Sequence, residues 1–172
     1  MITVLSTSVC WLLAGVFGLA AHHKLEQGAR FRAALAAYDV VPDRLLGVAA
    51  PLVISLELAT AAGLLILLPA ALAAAAVLLT AYAAIIAWHL SQGRRLLDCG
   101  CGDRPTPISW AMVWRNVLLA GAALLAAPST RMGLEPTTLA LALLTTVTVL
   151  LIYLAADQLI ANQSRIAQGG AR

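Results

Sequence analysis

Charge is what this sequence has least of. Only 11% of its 172 residues are charged and 62% are hydrophobic, with a mean hydropathy of +0.91. A soluble domain carries about 25% charged residues, so there is too little polar surface here to cover a water-facing globule. The chain reads as an integral membrane protein. Cysteine is scarce as well. With three in all, and only Cys99 and Cys101 close together, a disulfide-stapled scaffold is excluded. The sequence has no Gly-x-Ser-x-Gly, no His-Glu-x-x-His and no phosphate-binding glycine loop, so hydrolase-type catalysis finds no support. A continuous basic stripe is missing too. The net charge of +3 and pI near 9.1 come from residues in short loops between apolar runs, which argues against nucleic acid as a partner. The first apolar run has no basic n-region and leads into "HHK" without a clear small-residue cleavage site, so it does not read as a signal peptide.

What is present is apolar length. Five runs approach the roughly 20 residues that a crossing needs: Ile2–Ala21, Leu46–Leu68, Ala70–Leu90, Trp110–Ala127 and Thr137–Ala156. The second and third adjoin, and Pro69 marks a tight hairpin between them. Gly15, Gly18, Ala59, Ala62 and Gly63 offer small surfaces for close helix approach, the usual basis of association in lipid. The expected fold is an all-α membrane bundle of about five spans, four core and one C-terminal. It forms a single domain over 1–160, followed by a polar, frayed tail at 161–172. In the first long loop, Phe31, Leu35 and Tyr38 share a helical spacing while Arg30, Arg32 and Asp39 lie elsewhere. That segment reads as an amphipathic interfacial helix ended by Pro42.

Five spans put loop 22–45, loop 91–109 and the tail on one membrane face. Of the 11 Lys and Arg residues, only Arg131 falls on the other face. The positive-inside rule then places the N-terminus outside and Cys99 and Cys101 in the cytoplasm. His22, His23 and His89 end spans on the same face as the two cysteines.

The stretch "LLDCGCGDRPTPISW", from Leu96 to Trp110, carries the chemistry. Glycines at 100 and 102 permit unusual backbone angles. Two thiols one residue apart can close a strained disulfide that exchanges readily. Arg94 and Arg95 favour a thiolate and Asp98 and Asp103 oppose it. The same thiols, with His22, His23 and His89, form the alternative reading of a Cu(I) or Zn site. A loop with two incidental thiols is the third. Glu57, midway along the second span, needs a partner or a proton there. Arg115 on the fourth span is the expected partner, with Asn116 beside it as an interhelical hydrogen-bonding group. Such a pair is either a helix lock or a proton or quinone-headgroup site beneath the thiols. Tyr38, Trp110 and Trp114 read as interface anchors and Cys10 as a core residue.

Lys24, then Phe31, Leu35, Tyr38 and Val41-Pro42, then Pro51 and Glu57, then Cys99-Gly100-Cys101-Gly102, then Trp110 and Arg115-Asn116 form a recognisable series. From Lys24 to Ala127 it resembles the MauE-like methylamine-utilisation membrane proteins, within the DoxX-like group. Members often continue Cys-Gly-Cys-Phe-Gly, where this chain has Gly102-Asp103. The resemblance implies a multi-pass protein of the bacterial-type inner membrane. It implies a thiol–disulfide role for Cys99 and Cys101, over a polar core of Glu57, Arg115, Asn116, Tyr38 and Lys24. It also implies a membrane-anchored thioredoxin-like partner and a disulfide-containing periplasmic client, of the methylamine dehydrogenase small-subunit type. Apart from the resemblance, a quinone is one candidate electron sink for such a thiol pair, although no motif demands one. Such maturation belongs outside the cytoplasm, whereas the charge count puts the thiols inside. Electrons cross the membrane, or the charge rule fails, or the loop dips into the bundle. The rivals from other classes are a Cu(I)- or Zn-binding module and a non-catalytic assembly scaffold.

Overall fold

The computed structural model describes residues 2–100, 106–127 and 135–169. They form α1 (Ile2–Glu26), α2 (Gly28–Ala37), a 3-10 turn at Asp43–Leu45, α3 (Leu46–Leu65), α4 (Pro69–Ser91), α5 (Trp110–Ala126) and α6 (Pro136–Gly169). Among the described residues the one β pairing is an isolated bridge, Asp98 with Pro107. The all-helical bundle is the fold expected from the apolar runs. Four helices are long and apolar enough to cross a membrane: α1, α3 with the turn before it, α4 and α6. The fifth run, α5, has 17 residues. At 1.5 Å per residue it reaches about 26 Å, a little under the hydrocarbon thickness of about 30 Å. Helix α6 runs on to Gly169, so the segment read as a polar tail begins as helix.

Each long helix is apolar nearly all round, so no greasy stripe sets its rotation. The polar groups set it instead. Ser6, Thr7, Ser8, Lys24, Glu57, Thr60, His89, Asn116 and Thr146 are buried, while Val77, Leu118, Leu125 and Leu151 are each more than 60% exposed. This inverted distribution is the one lipid imposes. Acyl chains are as apolar as leucine and give no drive to bury it. Polar groups have no water to turn to and must find one another.

Helix α1 is central and packs against α3, α5 and α6, while α4 packs against α5 and α3. Side-chain hydroxyls dock α6 onto α1. Ser8 Oγ donates to the Ala142 carbonyl at 3.2 Å, and Thr146 Oγ1 donates to the Ser8 carbonyl at 3.4 Å. Gly15 faces Leu150 there, and a Cβ at Gly15 would sit 3.4 Å from Leu150 Cδ2. Gly18 meets nothing within 4 Å, and Ala59 and Ala62 are exposed. Of the small residues expected at contacts, Gly15 and Gly63 serve that role. On α3 the buried face is Glu57, Thr60, Ala61, Gly63 and Leu64.

The α3–α4 hairpin falls at Pro69 as expected. Leu67 takes a positive φ of 58°. Leu67 N donates to the Leu64 carbonyl at 3.1 Å and Leu68 N to the Gly63 carbonyl at 2.8 Å, which closes the helix in a Schellman turn. Leu68 is extended, as the residue before a proline must be, and Pro69 opens α4. Helix α2 packs against α3 and α1. It buries Phe31 and Ala34, with Tyr38 just past its end, and Phe31 packs with Ala21, Ala50 and Ile54. Asp39, at φ 53°, turns the chain toward Pro42.

Candidate functional site

The cysteine loop is tied down on both sides of Cys99. Cys99 N donates to the Thr106 carbonyl at 2.9 Å, and Ile108 N to the Leu97 carbonyl at 3.0 Å. Asp98 is the knot. Its carboxylate accepts from Gly100 N at 3.2 Å and Thr106 N at 3.1 Å. The guanidinium of Arg30, on α2, grips it with Nε at 2.8 Å and Nη2 at 3.1 Å. Burial raises the Asp98 pKa, but Arg30 and the two backbone amides outweigh burial and hold the carboxyl below its usual value. Gly100, at φ 68°, sets its backbone against Ala34 and Phe31. A Cβ there would sit 3.4 Å from Ala34 Cβ and 3.5 Å from Phe31 Cδ2, so glycine answers both a backbone angle and a close approach. Arg94 Nη2 donates to the Ala37 carbonyl at 2.8 Å, at the C-terminal end of α2. That guanidinium is engaged with α2 and with His89, 3.3 Å away. The loop therefore lies over α2 and the bundle. Cys99 is half-buried and packs against a cluster of Tyr38, Ile86, Ile108 and Met112. Cys101 and Arg104 lie outside the described residues.

Beneath Cys99 is a cavity of about 130 Å³. Its polar wall includes Cys99, His23, Glu57, Tyr82, Arg115 and Asn116. Three residues that the sequence placed under the thiols, Glu57, Arg115 and Asn116, thus share one space with Cys99. Helix α6 closes one side with Tyr153, Leu154 and Asp157. Tyr38 supports from outside the cavity, its ring edge against His89 at 5.1 Å.

The expected Glu57–Arg115 pair does not form. Glu57 Oε1 accepts from Lys24 Nζ and, at 2.7 Å, from Tyr82 Oη. Lys24 is 3% exposed and Glu57 0%, so this is a fully interior ion pair. The Lys24 ammonium also lies 5.3 Å from the Phe31 ring centroid and 5.4 Å from that of Tyr82, a cation–π setting for a desolvated charge. Arg115 pairs with Asp157 on α6 and stands 6.0 Å from the Tyr153 ring. The physical reason is reach and rotation. Lys24, at the end of α1, reaches back along the α3 face to Glu57, while Arg115 turns to the α6 side. Glu57 Oε2, buried, has no partner among the described residues.

The histidines go separate ways. His22 is exposed and meets Glu26 at 3.5 Å. His23 lines the cavity, and its buried Nδ1 has no partner among the described residues. His89 is buried between Tyr38 and Arg94. Among the described residues no three His, Cys, Asp or Glu groups gather as a metal-ligand set. Sequence reasoning missed Tyr82, Asp157 and the Arg30–Asp98 clasp. Asp157 carried a signal, a carboxylate at the end of an apolar run. Tyr82, a lone hydroxyl in an alanine-rich span, carried a weaker one.

Residues 2–129 match the family described as Methylamine utilisation protein MauE. The chain belongs to the MauE family. It is 37% identical over 154 residues to Methylamine utilization protein MauE of Paracoccus denitrificans, covering 86% of this chain and 82% of that protein. It is 41% identical over 128 residues to the MauE of Paracoccus versutus, covering 70% and 69%. The MauE of Methylophilus methylotrophus is 36% identical over 155 residues, covering 86% and 82%. No solved structure matches the chain significantly. The family match includes α1 to α5, and with them the Lys24–Glu57 pair and Cys99. With its apolar helices, this MauE-family chain is a multi-pass protein of the bacterial inner membrane.

Proposed function

We propose that this MauE-family protein is a membrane thiol–disulfide redox protein. It works with a membrane-anchored, thioredoxin-like partner in maturing a disulfide-containing periplasmic protein, of the methylamine dehydrogenase small-subunit type. Cys99 and Cys101 are the couple. One thiolate attacks a disulfide sulfur of the partner to form a mixed disulfide. The second thiol displaces the partner's thiol and closes the Cys99–Cys101 bond. The reverse sequence returns the dithiol, so relative potentials set the direction.

One observation carries the reading: Cys99 is held at a fixed place over a polar cavity. The Thr106 carbonyl takes the amide of Cys99 itself, and the Asp98 clasp, the Leu97 backbone bond and the Gly100 contact act on the residues flanking it. An incidental thiol needs no such framework. Arg30 offsets the Asp98 carboxylate, which the sequence had set against thiolate formation. The ion pair of Lys24 and Glu57 keeps the floor of the site polar without a net charge.

The test is mass-shift alkylation of the purified protein across a series of thiol redox buffers. Reversible loss and return of two alkylatable thiols is expected. The midpoint should be more oxidising than that of a stable structural disulfide, because one intervening residue strains the ring. Cys99→Ser or Cys101→Ser should abolish client maturation, and one of them should trap a mixed disulfide with the partner. Thiols reduced throughout, with no adduct from either variant, would remove the proposal. Thiols shielded until a chelator is added, with stoichiometric metal, would replace it with a metal-binding role.

A further inference from the structure

We infer that the cavity beneath Cys99 receives the head of a lipid-soluble quinone, which takes the electrons of the thiol pair. The inference rests on the redox reading above and names the acceptor that reading leaves open.

Size comes first. The cavity is about 130 Å³. An engineered protein cavity of about 150 Å³ binds benzene, and this one is partly open, so it admits one six-membered ring with the ring's substituents left toward the opening. The wall comes second. A dry pocket for a lipid tail would be apolar, whereas this one presents the Glu57 carboxylate and the Asn116 amide, 0% and 4% exposed. Glu57 Oε2 is buried and without a partner among the described residues. A quinone ring has apolar faces and two carbonyl acceptors at its ends. The Asn116 amide offers N–H donors to such a carbonyl. The mouth comes third. Leu19 and Leu154 border the cavity and are 36% and 37% exposed. Both belong to spans that face lipid, so an isoprenoid tail stays in hydrocarbon while the head enters between α1 and α6. Polar groups converging with apolar side chains in a cleft between helices are a common design for small-molecule sites, and this wall mixes Glu57, Arg115 and Asn116 with Phe17, Leu79 and Met112.

The electron count closes. Forming the Cys99–Cys101 bond from two thiols releases two electrons and two protons. The quinone takes up both and leaves as the quinol. The open oxygen of Glu57, in the same cavity as Cys99, is a station for one of those protons.

The experiment uses the full-length protein in lipid nanodiscs with decylubiquinone as the probe. Reduced protein should bind it, and anaerobic mixing should bleach the quinone absorbance as two thiols are lost to alkylation. Asn116→Leu removes the donor and Ala20→Phe fills the cavity, whose wall includes Ala20. Each should weaken binding at least tenfold. Trp88→Phe, exposed and outside the cavity, should leave binding unchanged. Decanol at equal concentration should not compete. Competition by decanol would mean a greasy groove only and would overturn the inference. Absence of binding to protein whose thiols still titrate in redox buffers would also overturn it, and leave the redox reading standing. Binding by protein whose thiols never oxidise would remove the redox reading and the acceptor role together.

Discussion

Removing Glu57 should expose what the interior ion pair costs and contributes. Glu57→Leu leaves the Lys24 ammonium buried without its countercharge. Breaking a buried pair by removing one partner typically costs about 3–5 kcal/mol. Both partners here are at most 3% exposed, so the upper half of that range is expected. Glu57→Leu also strands the Tyr82 hydroxyl, which in the parent donates at 2.7 Å to the carboxylate. Glu57→Gln keeps a carbonyl oxygen for Lys24 and Tyr82 but loses the countercharge, so it should cost about half as much. Lys24→Met strands the carboxylate and should resemble Glu57→Leu. The decisive variant is the double one, Lys24→Met with Glu57→Leu. Apolar replacement of a whole buried pair is often neutral or stabilising by about 1–4 kcal/mol, so the double variant should lie near the parent. Unfolding in mixed micelles, driven by a denaturing detergent and followed by circular dichroism, gives the four free energies of the cycle. A double variant as unstable as the sum of the singles would refute the pairing. Equal losses for Gln and Leu would show that hydrogen bonding at position 57 contributes nothing.

Three further outcomes follow from the same geometry. The Asp98 carboxyl is held below its usual value of 3.8, so its clasp contributes fully above that pH and is lost as pH falls through the lower folded value. Hydrogen-exchange protection of the Gly100 and Thr106 amides should hold from neutrality down to about pH 4 and fall below it, and Asp98→Ala, which removes the accepting oxygen, should lose it at every pH. Gly63→Ala would put a Cβ 2.8 Å from Ala71 Cβ and should destabilise the hairpin by about 1–3 kcal/mol. Gly18→Ala, with open space around it, should be neutral or slightly stabilising, and equal effects of the two in thermal unfolding would contradict the packing. Reporter fusions after Arg30 and after Arg131 should report opposite compartments, with Arg30 cytoplasmic. Matching compartments would refute the five-span topology.

The sequence by itself determined the solvent. So few charges over so many apolar residues leave only lipid as surroundings, and run length then sets the helices. A run of more than 40 residues is too long for one crossing, and Pro69 marked where it turns. Glu57 announced that it must have a partner, and Cys99-Gly100-Cys101 announced where the chemistry lies. The partner's identity came only from tertiary structure. Depth along the span allowed Arg115, but depth is one coordinate and a helix also has a rotation. On a helix apolar all round, no hydrophobic stripe reveals that rotation, so the sequence cannot say which cation faces which acid. Packing of α1 on α3 brought Lys24 to Glu57, and α6 brought Asp157 to Arg115. The same packing joined Cys99, Glu57 and Asn116, from three separate segments, around one cavity. Contacts between segments far apart in the chain leave no local pattern, which is why the residues were legible singly and their assembly was not.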